Sequence, residues 1–205
     1  GDVMGDAANE FGVGYWLAPA INILRNPCGG RCRDYASEDP YLSGIYAKYV
    51  IDGVNKHGVA AVLKHFCANN TEFERLKSNS RVSERALREI YIKAFEIAVK
   101  NTDVAGIMTS YNSVNGRKVC VDRTLVTDIP REEWNWNGAF MTDWWNDTRH
   151  VDEIAAGHDI KMTNGDIDGV VRALENGELT REQAYTCARR VIGLLLKLKA
   201  VRDSF

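Results

Sequence analysis

Four short, continuously apolar runs, separated by longer stretches of helical periodicity, constrain the fold of this chain more than any other feature. The runs are Val13–Pro19, Val59–Leu63, Val104–Met108 and Gly138–Met141, and His158–Met162 is a candidate for a fifth. A strand buried on one face alternates apolar and polar residues, whereas these runs are apolar throughout. Continuous apolar strands with helices between them indicate a parallel sheet that is covered on both faces. The sequence therefore predicts an α/β protein.

The segments between the runs carry signals for helix ends as well as helical periodicity. One helix is predicted from Tyr41 to His57, with Gly58 after it as a stop. Another begins near Ser83, whose hydroxyl can cap the first turn. Thr180 and Gln183 have the spacing of a capping box for the last helix. The residues predicted to face the core are Leu42, Ile45, Tyr46, Tyr49, Val50 and Val54 in the first helix and Leu87, Ile90, Tyr91, Ala94, Phe95 and Ala98 in the second.

Polar residues capable of chemistry stand at the carboxyl ends of several apolar runs. Lys64 and His65 follow the second run, Tyr111 follows the third, and Asp143 follows the fourth. A (β/α)8 barrel of the TIM type assembles its site from many strand ends. An open doubly wound sheet uses one switch point, often with a Gly-rich phosphate turn, and no such turn occurs in the sequence. The barrel is favoured, and the open sheet is the alternative.

Composition excludes several classes of partner. The net charge is −2, and basic and acidic residues are interspersed, so nucleic acid and anionic membranes have no single-sign surface to bind. No apolar stretch approaches the roughly 20 residues that span a bilayer. The histidines lack metal-ligand spacing, and no cofactor motif or G-x-S-x-G elbow is present. The near-zero net charge and the lack of metal and cofactor motifs favour a neutral substrate that is handled without a metal or a cofactor.

The five cysteines are widely spaced and odd in number. Cys28 and Cys32 are separated by three residues, which is not the C-x-x-C spacing of a zinc knuckle or a redox motif. Free thiols in a reducing compartment are favoured over a disulfide framework, and this slightly favours the cytoplasm. The chain opens on Gly1 without an initiator Met, so we expect the true N-terminus to lie further upstream.

Asp143 is the first candidate for catalysis. It follows the fourth apolar run and is flanked by Trp144 and Trp145. Sugars stack on aromatic rings, and a glycosidase needs a carboxylate beneath the anomeric carbon. An Asp after a strand is equally common as the N-cap of the next helix. The position of Asp143 alone therefore does not distinguish a catalytic carboxylate from a helix N-cap.

Several cations and one phenol are candidates for ligand binding. Lys64 and His65 are adjacent at a strand end, so both reach a ligand only where the strand curls into a loop. Lys and protonated His donate hydrogen bonds, which suits the hydroxyls of a neutral sugar. Arg31, Arg75 and Tyr111 are further candidates. Each of these residues has a structural alternative, as a solvated cation or a packed core side chain.

Short motifs follow one another in a characteristic order. They are Leu17-Ala18-Pro19, Arg25-Asn26-Pro27, Gly30-Arg31, Ser37-Glu38-Asp39-Pro40-Tyr41-Leu42, Lys64-His65-Phe66, Asn69-Asn70 with Arg75, Val82-Ser83-Glu84-Arg85-Ala86-Leu87-Arg88-Glu89-Ile90-Tyr91, Met108-Thr109-Ser110-Tyr111-Asn112, Asn115-Gly116 and Met141-Thr142-Asp143-Trp144. In this order they resemble glycoside hydrolase family 3, the β-glucosidase type, over essentially the whole chain.

The resemblance implies a (β/α)8 barrel and a retaining exo-acting β-glycosidase, with β-glucosidase as the first expectation. It implies that Asp143 is the nucleophile that forms a covalent glycosyl-enzyme. Trp144 matches the aromatic residue beside that nucleophile. The residues implied to line the subsite for the non-reducing sugar are Arg31, Lys64, His65, Arg75 and Tyr111.

The resemblance also implies that parts of the enzyme lie outside residues 1–205. Retention needs a second carboxyl about 5 Å from the nucleophile. The family supplies it as a Glu on an α/β sandwich domain, and these residues also lack the first barrel strands. We therefore expect a partial barrel that turns over little substrate alone. The N-acetylhexosaminidase branch is disfavoured because Lys64-His65-Phe66 continues as Cys67-Ala68-Asn69 and not as its KHFPGHG loop. The alternatives are a β-xylosidase or arabinosidase of the same family and a non-catalytic, degenerate carbohydrate-binding module.

Overall fold

The computed structural model describes residues 1–163 and 165–202. Its first half contains α1 (Asp2–Glu10), β1 (Tyr15–Trp16), α2 (Pro40–Asn55), β2 (Ala60–Phe66), β3 (Asn79–Ser80), α3 (Glu84–Ala86) and α4 (Lys93–Asn101). Its second half contains β4 (Gly106–Thr109), β5 (Ser113–Val114), β6 (Arg117–Lys118), β7 (Ala139–Met141), α5 (His150–Ala156), α6 (Ile167–Asn176) and α7 (Arg181–Arg202). Within these residues, no helix is both long enough and apolar enough to cross a membrane.

The main sheet is parallel, and its strands lie in the order in which they occur along the chain, β1-β2-β4-β7. Tyr15 pairs with Ala60, Leu63 with Ile107, and Ile107 with Phe140. An open doubly wound sheet reverses its strand order at a switch point, whereas a barrel adds each strand beside the previous one. The observed order therefore has the topology of a barrel. β3, β5 and β6 form a separate small sheet.

Both faces of the parallel sheet are apolar, as the continuous strands predict. On the outer face, Leu63, Ile107 and Phe140 pack with Ala47 of α2 and Phe95 of α4. The inner face carries a second cluster formed by Val62, Met108 and Met141. At the amino ends of the strands, Leu194 of α7 packs against Ala60, Ala105 and Ala139.

Two of the predicted strands are shorter than expected. β1 covers only Tyr15–Trp16 of the predicted run Val13–Pro19. The predicted fifth strand is reduced to one parallel bridge, between Ile160 and Met141. Asp159 Oδ2 accepts the backbone N–H of Phe140 at 2.8 Å. A regular strand pairing would use this N–H to donate to a backbone carbonyl. Because the Asp159 side chain accepts it instead, the backbone pairing with β7 does not extend beyond the single bridge.

The predicted core face of α2 is only partly right: Val54 is fully buried and Val50 packs against the core, but the larger residues do not. Leu42, Tyr46 and Tyr49 are 55, 46 and 68% exposed. The buried positions include Gly44, Ala47 and Ile51 instead. Small residues on this face let α2 approach α4 closely, and a Cβ built on Gly44 would lie 2.7 Å from Ile97 Cβ. Helical periodicity assigns large apolar residues to the core because it carries no information on the distance between two packed helices.

The second predicted helix starts at the predicted N-cap but changes its register. Ser83 Oγ accepts the N–H of Ala86 at 3.3 Å, so the cap is confirmed. The five residues Leu87–Tyr91 then form a π-helical turn before α4. A π turn inserts one extra residue, which rotates the following side chains about the axis. Ile90 is consequently exposed, against the prediction, and Ile92 is buried in its place.

The predicted capping box of the last helix, α7, is confirmed, since Thr180 and Gln183 bond reciprocally at 2.9 and 3.2 Å.

Replacing Gly44 with Ala is expected to destabilise the protein by about 1–3 kcal/mol, because the new methyl group overpacks the contact with Ile97. This cost exceeds the roughly 0.5–1 kcal/mol gained by removing a glycine from a helix interior. Urea unfolding of the full-length protein measures the change. Gly193→Ala, in α7, is the matched control, because a Cβ there meets nothing within 4 Å. Equal stability of the two variants would contradict the packing argument.

Candidate active site

The carboxyl ends of β2, β4 and β7 bring the predicted site residues together. Asp143 follows β7, His65 is the last residue but one of β2, and Tyr111 follows β4. The loops after β1 and β2 supply Arg31 and Arg75. Arg31 contacts His65, His65 contacts Asp143, and Arg75 stacks on Tyr111. Residues distant in the sequence thus form one contiguous group, which is the arrangement predicted for a barrel.

Asp143 does not act as a helix cap. The next helix, α5, begins after Arg149, six residues further along the chain. Asp143 Oδ1 accepts the N–H of Trp144 at 2.7 Å, and Oδ2 lies 3.7 Å from His65 Nε2. The side chain is 14% exposed. The capping alternative is therefore wrong, and the carboxylate is free to face a ligand.

His65 lies between Arg31 and Asp143. Arg31 Nη1 is 3.0 Å from Nδ1 and 2.9 Å from Nε2 of the ring. Burial lowers the pKa of His65 well below its usual range, and Arg31 and Lys64 lower it further. His65 is consequently neutral near pH 7, so its contact with Asp143 is not an ion pair. Asn22 fixes the strand here, since it donates to the backbone O of His65 at 2.7 Å and accepts its N–H at 2.8 Å.

Lys64 is half-buried beside His65. Burial lowers its pKa, and the positive charge of Arg31 acts in the same direction. The carboxylates of Asp143 and Asp34 oppose this shift. The register of β2 against β4 is irregular between Leu63 and Phe66, so the strand departs from regular geometry where Lys64 and His65 stand.

Tyr111 is buried beside Asp143. Its hydroxyl accepts the N–H of Trp145 at 2.9 Å, and the Arg75 guanidinium lies 5.0 Å from the ring centroid. Burial raises the pKa of Tyr111, the Trp145 N–H opposes this, and the negative charge of Asp143 adds to it. Tyr111 therefore keeps its proton and can donate a hydrogen bond to a carboxylate or a ligand.

Trp144 stands at the rim of this group of residues. Its side chain is 43% exposed, and its backbone O accepts a hydrogen bond from Thr163 at 2.7 Å. A half-exposed indole at the edge of a polar site leaves an apolar face available for a ligand to stack on.

The segment after Asp143 is held from behind by a buried ion pair. Lys161 Nζ lies 2.7 Å from Glu153 Oε1, and both side chains are almost fully buried. Asn146 donates to the same oxygen at 2.6 Å, and Thr148 also contacts Glu153. Lys161 reaches the backbone O of Thr148 at 2.9 Å. These contacts join α5 to the loop that begins at Asp143 and hold that loop in place.

Glu72 is a site residue that the sequence analysis missed. Its Oε1 lies 3.1 Å from Arg31 Nε, and its Oε2 lies 2.9 Å from Arg75 Nη1. One carboxylate thus orients both arginines of the group. No apolar periodicity or known motif marks position 72. Only its place between the motif Asn69-Asn70 and Arg75 could have pointed to it.

His158 lies behind the site and stays neutral in the fold. Its Nε2 is 3.0 Å from Thr109 Oγ1, and the ring is buried. Burial lowers its pKa to about 3, with Arg131 and Lys161 contributing. The unfolded chain takes up a proton below the usual pKa of 6.5, whereas the folded chain does not until near pH 3. Stability is therefore lost as the pH falls through this window.

We expect His158 to contribute about 1.4 kcal/mol per pH unit to the fall in unfolding free energy between about pH 6 and pH 4. Urea unfolding of the wild-type protein and of His158→Gln across this range measures the contribution. The variant should show a slope shallower by that amount, whatever its absolute stability. Parallel curves for the two proteins would contradict a neutral buried His158.

Comparison with known proteins places this arrangement in context. The family model described as the glycosyl hydrolase family 3 N terminal domain matches residues 1–194. Beta-glucosidase A of Butyrivibrio fibrisolvens is 41% identical over 199 residues, which are 96% of this chain and 24% of that protein. An exo-alpha-(1->6)-L-arabinopyranosidase of Bifidobacterium longum is also 41% identical, over 98% of this chain and 27% of its own length. The chain thus spans about a quarter of the curated relatives it matches.

Solved structures agree with the sequence relatives. Beta-glucosidase 3B from Thermotoga neapolitana, solved in complex with glucose, superposes with a TM-score of 0.94 at 39% identity. The match covers 98% of this chain and 30% of that one. A beta-glucosidase from Bifidobacterium adolescentis gives the same TM-score at 40% identity, again over 98% and 30%. These similarities confirm the predicted barrel-type α/β fold.

Proposed function

This chain belongs to glycosyl hydrolase family 3, and from that premise we propose that the protein containing it is a retaining exo-acting β-glycosidase. Terminal non-reducing β-D-glucosyl residues are the first substrate class, because relatives named beta-glucosidase match over almost the whole chain. The observation that carries the proposal is the Asp143 carboxylate, which stands at the strand ends beside neutral His65 and protonated Tyr111.

Asp143 is assigned the role of nucleophile. It is 14% exposed, so an incoming sugar can reach it while little water competes. A carboxylate oxygen attacks the anomeric carbon and forms a covalent glycosyl-enzyme as the leaving oxygen is protonated. Tyr111 can donate to the ionised carboxylate and fix its direction, because burial keeps the phenol protonated. Water then releases the sugar with the original anomeric configuration.

The sugar-binding role falls to the groups around Asp143. Arg31, Lys64 and Arg75 supply charged donors, and neutral His65 can both donate and accept. Several donors around one carboxylate suit the neighbouring hydroxyls of a single sugar ring. Trp144, half-exposed at the rim, offers a face for the apolar side of that ring. This set favours a terminal sugar bound one ring deep, and hence exo action.

The proton donor is assigned to a Glu of an α/β sandwich domain in the same protein. Among the carboxylates near Asp143, Glu72 is held by two arginines, at 3.1 and 2.9 Å. Each oxygen of Glu72 thus faces a guanidinium group, which assigns Glu72 to positioning the two arginines. The resemblance to the family implies that the second carboxyl, which retention requires, comes from that domain, outside residues 1–205.

Hydrolysis of aryl glycosides by the full-length protein tests the proposal. The panel contains β-D-glucoside, β-D-xyloside and α-L-arabinopyranoside, the last because arabinopyranosidases match the chain as well as beta-glucosidases do. We expect the highest kcat/KM for the β-D-glucoside, and NMR of the first product should show the β-anomer. A first product of inverted configuration would exclude the retaining mechanism. Failure to cleave any member would favour a non-catalytic carbohydrate-binding module.

Replacing Glu72 with Gln is expected to raise KM about tenfold with little change in kcat, because the neutral amide no longer pairs with Arg31 and Arg75. Steady-state kinetics on the preferred aryl glycoside separates the two constants. Asp34→Asn is the matched control, since Asp34 lies 3.8 Å from Arg31 and is more exposed than Glu72. A loss in kcat alone would show that Glu72 acts on the chemical step and not on sugar binding.

A further inference from the structure

The loop that carries Arg31 also carries two exposed cysteines. Cys28 and Cys32 are exposed, whereas Cys67, Cys120 and Cys187 are buried. The accessible thiols of this chain therefore lie on either side of one of the residues proposed to bind sugar. No part of the proposed hydrolysis uses either thiol.

The backbone of this loop folds back so that the two cysteines approach each other. The N–H of Gly29 bonds to the backbone O of Asn26 at 2.9 Å, and the N–H of Cys28 bonds to the Asn26 side chain at 2.9 Å. Gly30 has a φ of 90°, which glycine adopts without strain. Cys32 Sγ lies 2.9 Å from the backbone O of Pro27, the carbonyl bonded to the nitrogen of Cys28.

This distance places the two cysteines within reach of a disulfide. A carbonyl oxygen lies about 2.8 Å from the Cα of the following residue across a trans peptide. Cys32 Sγ is consequently no further than about 6 Å from the Cα of Cys28. In a disulfide, the bond lengths and angles place the sulfur of one cysteine roughly 3.5–4.5 Å from the Cα of the other, so the Cys32 sulfur has to move by no more than about 2 Å. Side-chain rotation and a small movement of the turn bring the two sulfur atoms together.

The same turn determines where Arg31 stands. The backbone O of Gly29 accepts the N–H of Glu72 at 2.9 Å, and Arg31 reaches Glu72 at 3.1 Å and His65 at 2.9 Å. A Cβ on Gly30 would lie 2.9 Å from Glu72 Cβ, so the turn packs tightly on this segment. A disulfide between residues 28 and 32 closes a covalent ring that includes the backbone of Arg31. A shift of that backbone on ring closure shifts the guanidinium as well.

We propose that Cys28 and Cys32 form a reversible disulfide that weakens sugar binding by displacing Arg31 from His65 and Glu72. The effect on affinity rests on the proposed function, whereas the disulfide itself does not. The co-reactant is a small disulfide such as oxidised glutathione.

The reaction proceeds by two thiol–disulfide exchanges. The Cys32 thiolate attacks one sulfur of the small disulfide, forming a mixed disulfide and releasing one thiolate. The Cys28 thiolate then attacks the Cys32 sulfur, forming the protein disulfide and releasing the second thiolate. In sum, two protein thiols give up two protons and two electrons, and the small disulfide takes up both as two thiols.

Peptide mapping of the full-length protein tests the bridge without reference to activity. After equilibration with oxidised glutathione and blocking of free thiols, trypsin should yield the peptides Asn26–Arg31 and Cys32–Arg33 joined by a disulfide. Dithiothreitol should release them. Failure to detect the joined pair, with both thiols blocked separately or carrying glutathione, would overturn the proposal.

Kinetics on the preferred aryl glycoside tests the consequence. Oxidation of the wild-type protein should raise KM about tenfold, and dithiothreitol should reverse the rise. Cys28→Ser should keep the reduced KM under both conditions, since Cys32 then has no partner in the loop. A joined peptide with an unchanged KM would overturn the link to Arg31. A reduced protein that cleaves no glycoside would instead count against the proposed function and leave the peptide result standing.

Discussion

Replacing Asp143 with Asn is expected to lower kcat for the preferred aryl glycoside on the order of 10⁴-fold, as does loss of one member of a catalytic set in other hydrolases. An amide cannot attack the anomeric carbon as a carboxylate does. Asn keeps the shape of the side chain and an oxygen that can accept the N–H of Trp144, which Asp143 receives at 2.7 Å. The fold and the sugar subsite should therefore persist, and the substrate should still bind.

Asp147→Asn is the matched control for this change. Asp147 lies on the same loop, but it is largely exposed and bonds to Lys118 at 3.2 Å. Its replacement removes the same charge near the site and should change kcat less than about twofold. A residual rate of Asp143→Asn within about tenfold of wild type would contradict the nucleophile assignment.

Replacing Asp159 with Asn is expected to destabilise the protein by about 3–5 kcal/mol. The Asp159 carboxylate is fully buried between two arginines, at 2.7 Å from Arg131 and 3.1 Å from Arg190. Burial lowers the pKa of Arg131, and the charge of Asp159 opposes that shift. The amide leaves a guanidinium buried without a counter-charge, which is the costly way to break a buried pair. Urea unfolding of the full-length protein measures the loss.

A surface ion pair serves as the control for Asp159. Glu182 and Arg189 lie 3.1 Å apart in α7, and both side chains are largely exposed. Glu182→Gln should change the unfolding free energy by no more than about 0.5 kcal/mol, because water screens and replaces the contact. If the two variants lose similar amounts, burial does not set the strength of the Asp159 contacts.

The parallel sheet could be predicted from the sequence because its strands are buried on both faces. Val62 and Leu63 are adjacent, yet they enter different apolar clusters on opposite sides of β2. The core face of α2 was predicted correctly at Val54 but wrongly at Tyr46 and Tyr49, which are exposed, because Gly44 and Ala47 are buried in their place. Hydrophobic periodicity ranks residues by size and polarity, and a close helix contact reverses that ranking.

The residues of the candidate site were likewise only partly predictable from the sequence. Asp143, His65 and Tyr111 were predictable because they stand directly at strand ends, where a barrel gathers its chemistry. Glu72 was not, because its role depends on Arg31, which the fold brings to it from the loop after β1, as well as on Arg75 in its own loop. Asn22 was missed for a similar reason, since it acts through the backbone of His65, 43 residues away. Such contacts form because the fold brings residues from distant parts of the chain together, and no local sequence pattern predicts them.

Covalent trapping tests whether Asp143 is the nucleophile. The full-length protein is incubated with a 2-fluoro β-glycoside, which slows release of the covalent intermediate more than its formation, and is then digested for mass spectrometry. We expect a single sugar adduct on Asp143, and none in Asp143→Asn. An adduct on any other residue, or inactivation of the Asp143→Asn protein at the wild-type rate, would contradict this assignment.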